Sequence, residues 1–242
     1  MRPTNQRPNI VLILSDQQRW DTVGAYGSIR GLTPNLDELA LTGTLFETAI
    51  ACQPVCGRAR ACIQTGRYSS ENGVHLNGLG LRDYAYPTLP TLLRDAGYAT
   101  GYVGKWHLSG DKACYTKAIP RDRRGGYDGF WRGADLPEYC SHPYHGVLWD
   151  EDDRRIESPG TYRTRFYGDN ALDALDFLTR SDSFFLTVSF VEPHPQPVHK
   201  GFTGPEYHPG VPVLRDYLVY EGPERYRHAA AKVPLPGDLE GK

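Results

Sequence analysis

The chain has 242 residues, with 27 lysines and arginines against 29 aspartates and glutamates, a formal net charge of −2. That balance excludes a strong electrostatic pull toward nucleic acid or an anionic membrane surface, and no apolar run approaches the ~20 residues of a membrane-spanning helix. A hydrophobic fraction of 39% is ordinary for a globular protein of one large domain or two. Five cysteines form an odd count without a framework spacing, which points to mostly free thiols in a reducing compartment. No CxxC or HxxxH pair suggests zinc. The first apolar run is too short for a signal peptide, so the expected location is cytoplasmic.

In chain order, Asn9–Leu14 is a continuous β-rich apolar run, the pattern of a parallel-sheet strand buried on both faces. It ends at Ser15-Asp16-Gln17. Ligands in open α/β sheets bind outside the carboxyl ends of strands, and Asp16 and Gln17 carry hard oxygens suited to Ca²⁺ or Mg²⁺; a turn-forming Asp fits the same residues. Thr33 to Ala40 reads as a helix, with Thr33 as N-cap, Pro34 in the first turn, and Leu36, Leu39 and Ala40 on one apolar face. A strand is expected over about Leu45 to Ile50.

Cys56 then stands where a loop becomes a short helix, with Arg60 one turn on. A thiol at a helix N-terminus feels the positive end of the dipole, which favours its anion; a buried inert Cys is the competing reading. Asn77 lies in the polar Gly-rich stretch that follows, as an anion ligand or a turn former. Thr88 to Gly97 is a capped amphipathic helix. The strand Ala99–Val103 runs into Gly104-Lys105-Trp106-His107. From about 109 to 164 the periodicity is poor, and an irregular excursion with short strands at most is expected. Its acidic run Asp150–Asp153 reads as a solvated turn. A helix over Asp169–Leu178 and a buried strand over Phe184–Phe190 follow, and the strand ends in Glu192-Pro193-His194. Residues 201–242 read as a second excursion.

Strands alternating with capped helices predict an α/β fold with a mostly parallel central sheet flanked by helices. Were its strands neighbours, Asp16, Gln17, Cys56, Arg60, Lys105, His107 and His194 would converge. Hard-cation ligands, a nucleophile position and several cationic groups suit phosphoryl or sulfuryl transfer.

These residues resemble the sulfatases of the alkaline phosphatase superfamily. Arg7-Pro8-Asn9-Ile10-Val11-Leu12-Ile13 leading to Asp16-Gln17 is similar to their first strand and metal site. Thr33–Ala40 followed by Gly43 and Phe46 is similar to their first helix. Pro54-Val55-Cys56-x-x-x-Arg60 with Thr65-Gly66-Arg67 resembles their signature, and Gly104–Leu108 and Pro193-His194-x-x-Pro197 their later motifs. The resemblance implies that Cys56 is oxidised by a formylglycine-generating enzyme to formylglycine (3-oxoalanine). One hydroxyl of its hydrate would attack sulfur. Asp16, Gln17 and the modified Cys56 would bind Ca²⁺, or Mg²⁺ or Mn²⁺ in its place. Arg60 would hold the formylglycine, Lys105 and His194 the sulfate oxygens, and His107 would orient the formylglycine. Asn77 and the Asp16-Gln17 pair lean toward the phosphonate-monoester-cleaving branch. The implied substrate is a small sulfate or phosphonate ester, with phosphonate monoester or phosphodiester hydrolysis as the alternative activity on the same fold.

Two departures from the family pattern stand out. The signature reads Cys-x-Pro-x-Arg or Cys-x-Ala-x-Arg, and this chain has Arg58 at the third place. The Ser/Thr-Asp-His/Asn-Gly motif that carries the remaining metal ligands is not found, so residues 1–242 are expected to be an N-terminal, incomplete part of the catalytic domain. A degenerate fragment that binds an anion or a partner is the competing non-enzymatic expectation.

Overall fold

The computed structural model describes residues 7–27, 32–81, 86–195 and 222–223. Apart from Gly222 and Pro223, the second expected excursion, 201–242, lies outside the described residues, as does Pro197. The strands are β1 (Ile10–Leu14), β2 (Ala99–Lys105), β3 (Phe130–Ala134), β4 (His145–Trp149), β5 (Arg155–Pro159) and β6 (Phe184–Ser189). The helices are α1 (Pro34–Thr42), α2 (Cys56–Thr65), α3 (Ser69–Asn72), α4 (Leu89–Asp95), α5 (Pro137–Cys140) and α6 (Arg163–Leu178). One six-stranded sheet runs in the order β1-β6-β2-β3-β4-β5. β1, β6, β2 and β3 are parallel, while β4 and β5 add an antiparallel edge. The fold is therefore the expected α/β class.

Alternation along the strands sorts the core into two layers. Val103 of β2 and Phe184, Leu186 and Val188 of β6 face α6, whose Phe166, Tyr167, Ala174 and Leu178 complete that cluster. Tyr102 and Phe185 point the other way, toward Ala61 of α2, Leu89 and Leu93 of α4, and the rings of Trp106, Tyr127 and Trp131. Side chains that alternate by face are what a period of two requires, and each fully buried aliphatic contributes about 1.5–3 kcal/mol. α4 opens on a capping box, in which Thr88 accepts from Thr91 N and the Thr91 side chain accepts from Thr88 N.

Several expectations are corrected. β1 is not buried on both faces. It sits at the sheet edge, paired with β6, and Val11 and Ile13 are 45% and 64% exposed. Ile10 and Leu12 pack against the α2/α4 layer, whereas α6 packs over β2, β3, β4 and β6. Leu45–Ile50 forms no strand, and all of its residues are exposed. α1 buries none of its residues, and Thr33 makes no capping bond to a helix N–H. Its Oγ1 bonds Asp37 Oδ1 at 3.0 Å and accepts from Gly24 N, tying the helix to the preceding turn. The stretch 109–164, where short strands at most are expected, supplies three strands of the sheet, five residues each and too short to show a period. Asp150–Asp153 makes the β4–β5 turn, with Asp150 Oδ1 accepting from Asp152 N and Arg154 N.

Candidate active site

The carboxyl ends of the four parallel strands lie side by side, and each delivers a polar group to that edge. Asp16 follows β1, Lys105 ends β2, Asp135 and Glu138 follow β3, and His194 follows β6. α2 brings Cys56 and Arg60 onto them. The NH1 group of Arg60 donates to Lys105 O and Ser189 Oγ, both at 2.6 Å, and NH2 pairs with Asp16 Oδ2 at 3.2 Å. Lys105 Nζ lies 2.7 Å from Asp16 Oδ2 and in direct contact with Glu138 Oε1. Arg60, Lys105, Asp16 and Glu138 are all buried. Gly104 makes this junction possible: at φ +109° its missing Cβ would fall 2.0 Å from Ser189 O.

Cys56 opens α2 and is half-buried. Burial pushes its thiol up, and Asp16 and Glu138 push the same way, against Lys105 and Arg60. Desolvation of the anion therefore works against the helix-dipole activation expected of the thiol. Next to Cys56, a Cβ on Gly57 would meet Asn77 Oδ1 at 3.1 Å, His107 O at 3.3 Å and His107 Nε2 at 3.9 Å. Asn77 and His107 thus flank the start of α2. His107 adopts φ +56° in a turn braced by Asp135, whose backbone carbonyl accepts from His107 N. The Asp135 carboxylate accepts from Leu108 N, Ser109 N and Ser109 Oγ. Burial, then the charges of Lys105 and Arg60, lower the His107 pKa to about 3. His107 is accordingly a neutral imidazole, not the cation its type allowed, and its buried Nδ1 has no hydrogen-bond partner among the described residues. His194 is partly buried, with Nδ1 donating to Pro195 O at 2.7 Å and lying 3.8 Å from Glu138 Oε1.

Burial works against the Asp16 carboxylate, but Lys105 and Arg60 outweigh it and hold the pKa below the ordinary value. Glu138 is held down in the same way, chiefly by Lys105 against burial. Gln17 is exposed, at φ +59° beside Asp16. Among the described residues no three His, Cys, Asp or Glu side chains gather as a metal-binding group. Asp16 and Gln17 carry the oxygen atoms that hard cations prefer. The unpartnered Nδ1 of His107 beside the start of α2 is a donor or acceptor that a group built on Cys56 could satisfy. Sequence reasoning missed Glu138, Asp135 and Ser189. The one signal for them was position, just past or at the end of a strand.

The carboxyl ends of the four parallel strands thus gather Lys105 and Arg60, paired with Asp16 and Glu138, around a half-buried cysteine. The family model described as Sulfatase matches residues 8–215, and the chain belongs to that family. An ulvan-active sulfatase of Formosa agariphila is 35% identical over 191 residues, covering 78% of this chain and 36% of its own length. Human N-acetylgalactosamine-6-sulfatase is 31% identical over 201 residues, covering 75% of this chain and 38% of its own. The chain therefore spans well under half of the curated relatives it matches. A solved structure of a protein in complex with D-glucosamine-2-N,6-O-disulfate superposes with a TM-score of 0.64 at 28% identity, over 78% of this chain and 35% of that one. Among the described residues no helix is long and apolar enough to cross a membrane.

Proposed function

We propose that this chain carries the Cys56 side of a sulfatase active site for hydrolysis of sulfate esters. The observation that supports it best is the convergence of Lys105, Arg60, Asp16 and Glu138 as the charges acting on Cys56, with Asn77 and His107 flanking the same helix start. In this reading a formylglycine-generating enzyme converts Cys56, and the converted side chain supplies the hydroxyl nucleophile toward sulfur. Asp16, Gln17 and residue 56 would hold part of the shell of Ca²⁺, or of Mg²⁺ or Mn²⁺, which would supply Lewis-acid polarisation.

The chain's own residues do the rest. Arg60, fixed through Lys105 O, Ser189 and Asp16, holds a permanent charge beneath residue 56. Lys105 and His194 bind the sulfate oxygens and stabilise charge that builds on them during transfer. Neutral His107 orients residue 56 through a hydrogen bond and can accept a proton there. The names of the relatives point to a sulfated saccharide as the ester. Residues 1–242 are read as the N-terminal part of the catalytic domain, with the remaining metal donors outside the described residues. Asn77 beside Gly57 favours a second reading, a phosphonate monoester hydrolase on the same scaffold. Matched aryl sulfate and aryl phosphonate esters, assayed with Ca²⁺ after co-expression with the modifying enzyme, decide between them. Faster sulfate hydrolysis supports the first reading, and faster phosphonate hydrolysis replaces it.

A further inference from the structure

The loops that follow β3 and β6 are not neighbours, because β2 lies between the two strands in the sheet. Lys105 ends β2 in the middle of that gap. On one side, α5 carries Glu138, which contacts Lys105 Nζ. On the other, the turn after β6 carries His194.

Arg163, the first residue of α6, joins the two loops across the end of β2. Its side chain is 1% exposed. Nε donates to Glu192 Oε1 at 2.9 Å, and NH2 lies 2.9 Å from the same oxygen, two residues before His194. NH1 reaches the other loop, donating to Ser141 Oγ at 2.9 Å. Ser141 directly follows α5 and donates from Oγ to Pro137 O at 2.6 Å, which carries the link to the helix of Glu138. The backbone N–H of Arg163 donates to Pro143 O at 2.6 Å. The guanidinium is a planar fork that serves two partners in fixed directions, which an ammonium cannot do, and burial spares the pair the screening of a surface ion pair. His194 gains most from such a strap. Its ring hydrogen-bonds Pro195 O, inside its own turn. That bond does not set where the turn stands relative to Lys105, and a misplacement of about 1 Å is enough to cost a site much of its function.

We infer that Arg163 is a positioning residue, which sets His194 against Lys105 so that both reach the oxygens of one bound oxyanion. This rests on the sulfatase reading, in which those two side chains bind the sulfate. Arg163 acts through the Glu192 turn and the Ser141 loop rather than by touching the ester. An Arg163 that only held the fold together would leave the affinity of a folded variant unchanged.

The test is a double-mutant cycle on the full chain. Inorganic sulfate is the probe, in one Ca²⁺-containing buffer, with affinity read by titration calorimetry and stability by urea unfolding. Ser141→Ala cuts the strap and keeps the Arg163–Glu192 pair. Arg163→Lys keeps the charge without the fork. Each should weaken sulfate binding about tenfold when His194 is present, and less than about twofold in the His194→Ala background. The stability cost of each should be the same in both backgrounds. Unchanged sulfate affinity in folded Ser141→Ala overturns the inference and leaves the sulfatase reading standing. An equal loss of affinity with and without His194 does the same. A wild type that binds no sulfate overturns the sulfatase reading and the inference together. Should Arg163→Lys not melt cooperatively, or the His194→Ala background bind too weakly to measure, the affinity of Ser141→Ala alone decides.

Discussion

Lys105 Nζ lies 2.7 Å from Asp16 Oδ2, and both side chains are almost wholly inside the protein. A strand at the edge of the sheet and one near its centre are thereby joined at their carboxyl ends by a buried ion pair, with β6 between them. Removing one partner strands the other's charge, and that outcome is far more costly than losing an exposed pair. Asp16→Asn should lower unfolding free energy by about 3 kcal/mol, read as a shift of the urea midpoint at neutral pH. A change within about 0.5 kcal/mol, typical of an exposed surface substitution, would mean that the pair is solvated.

His107 gives a distinct dependence on pH. Its pKa is lowered in the folded chain, from 6.5 to about 3, by burial and by the nearby cations. The unfolded chain therefore takes up the proton first. The neutral-imidazole contribution to stability is fully present above pH 6.5 and is lost progressively as pH falls toward 3. Urea midpoints should fall between pH 7 and pH 5, and His107→Asn should flatten that slope. Asn tolerates the left-handed backbone of this position. An unchanged slope in the variant would place the titration elsewhere.

Gly104 is irreplaceable on geometric grounds. At φ +109°, with Ser189 O 2.0 Å from the site of any Cβ, Gly104→Ala must separate β2 from β6 or shift the Lys105 backbone. A loss of about 3 kcal/mol or more is expected from combined strain and clash, measured by denaturant unfolding. Gly66→Ala is the control: φ is +64° there but nothing lies within 4 Å, so the loss should be about 1 kcal/mol.

Arg58 occupies the third place of the signature and is half-buried on α2. Arg58→Ala and Arg58→Pro restore the two forms the family uses, and Pro is tolerated in the first turn of a helix. Both should raise the fraction of Cys56 converted during co-expression with the modifying enzyme. Equal conversion of wild type and variants, by peptide mass spectrometry, would show that Arg58 is read as well as Pro or Ala.

The parts legible in the sequence were those whose meaning is local. β2 and β6 are β-rich runs ending in polar residues, α4 carries its cap and its Gly stop, and the Cys56–Arg60 pair lies on one helix. What stayed hidden depends on neighbours. Val11 and Ile13 look like core residues, and only the place of β1 at the sheet edge exposes them. Leu45–Ile50 has a strand's composition but pairs with no described strand. Trp131 and Trp149 lie in strands too short to show alternation. Glu138 reaches Lys105 through β3 pairing with β2, a contact that neither spacing nor periodicity encodes. Burial likewise opposes the thiol anion expected at Cys56, because a helix terminus is read from sequence and desolvation is not.

The central claim is that Cys56 is the precursor of the nucleophile in a site built for sulfate. Its most direct test is hydrolysis of an aryl sulfate in Ca²⁺, followed together with the converted fraction of residue 56, for the wild type and Cys56→Ala. Turnover proportional to the converted fraction and abolished in Cys56→Ala is the predicted result. Turnover that persists in Cys56→Ala, or none from fully converted protein, would contradict it.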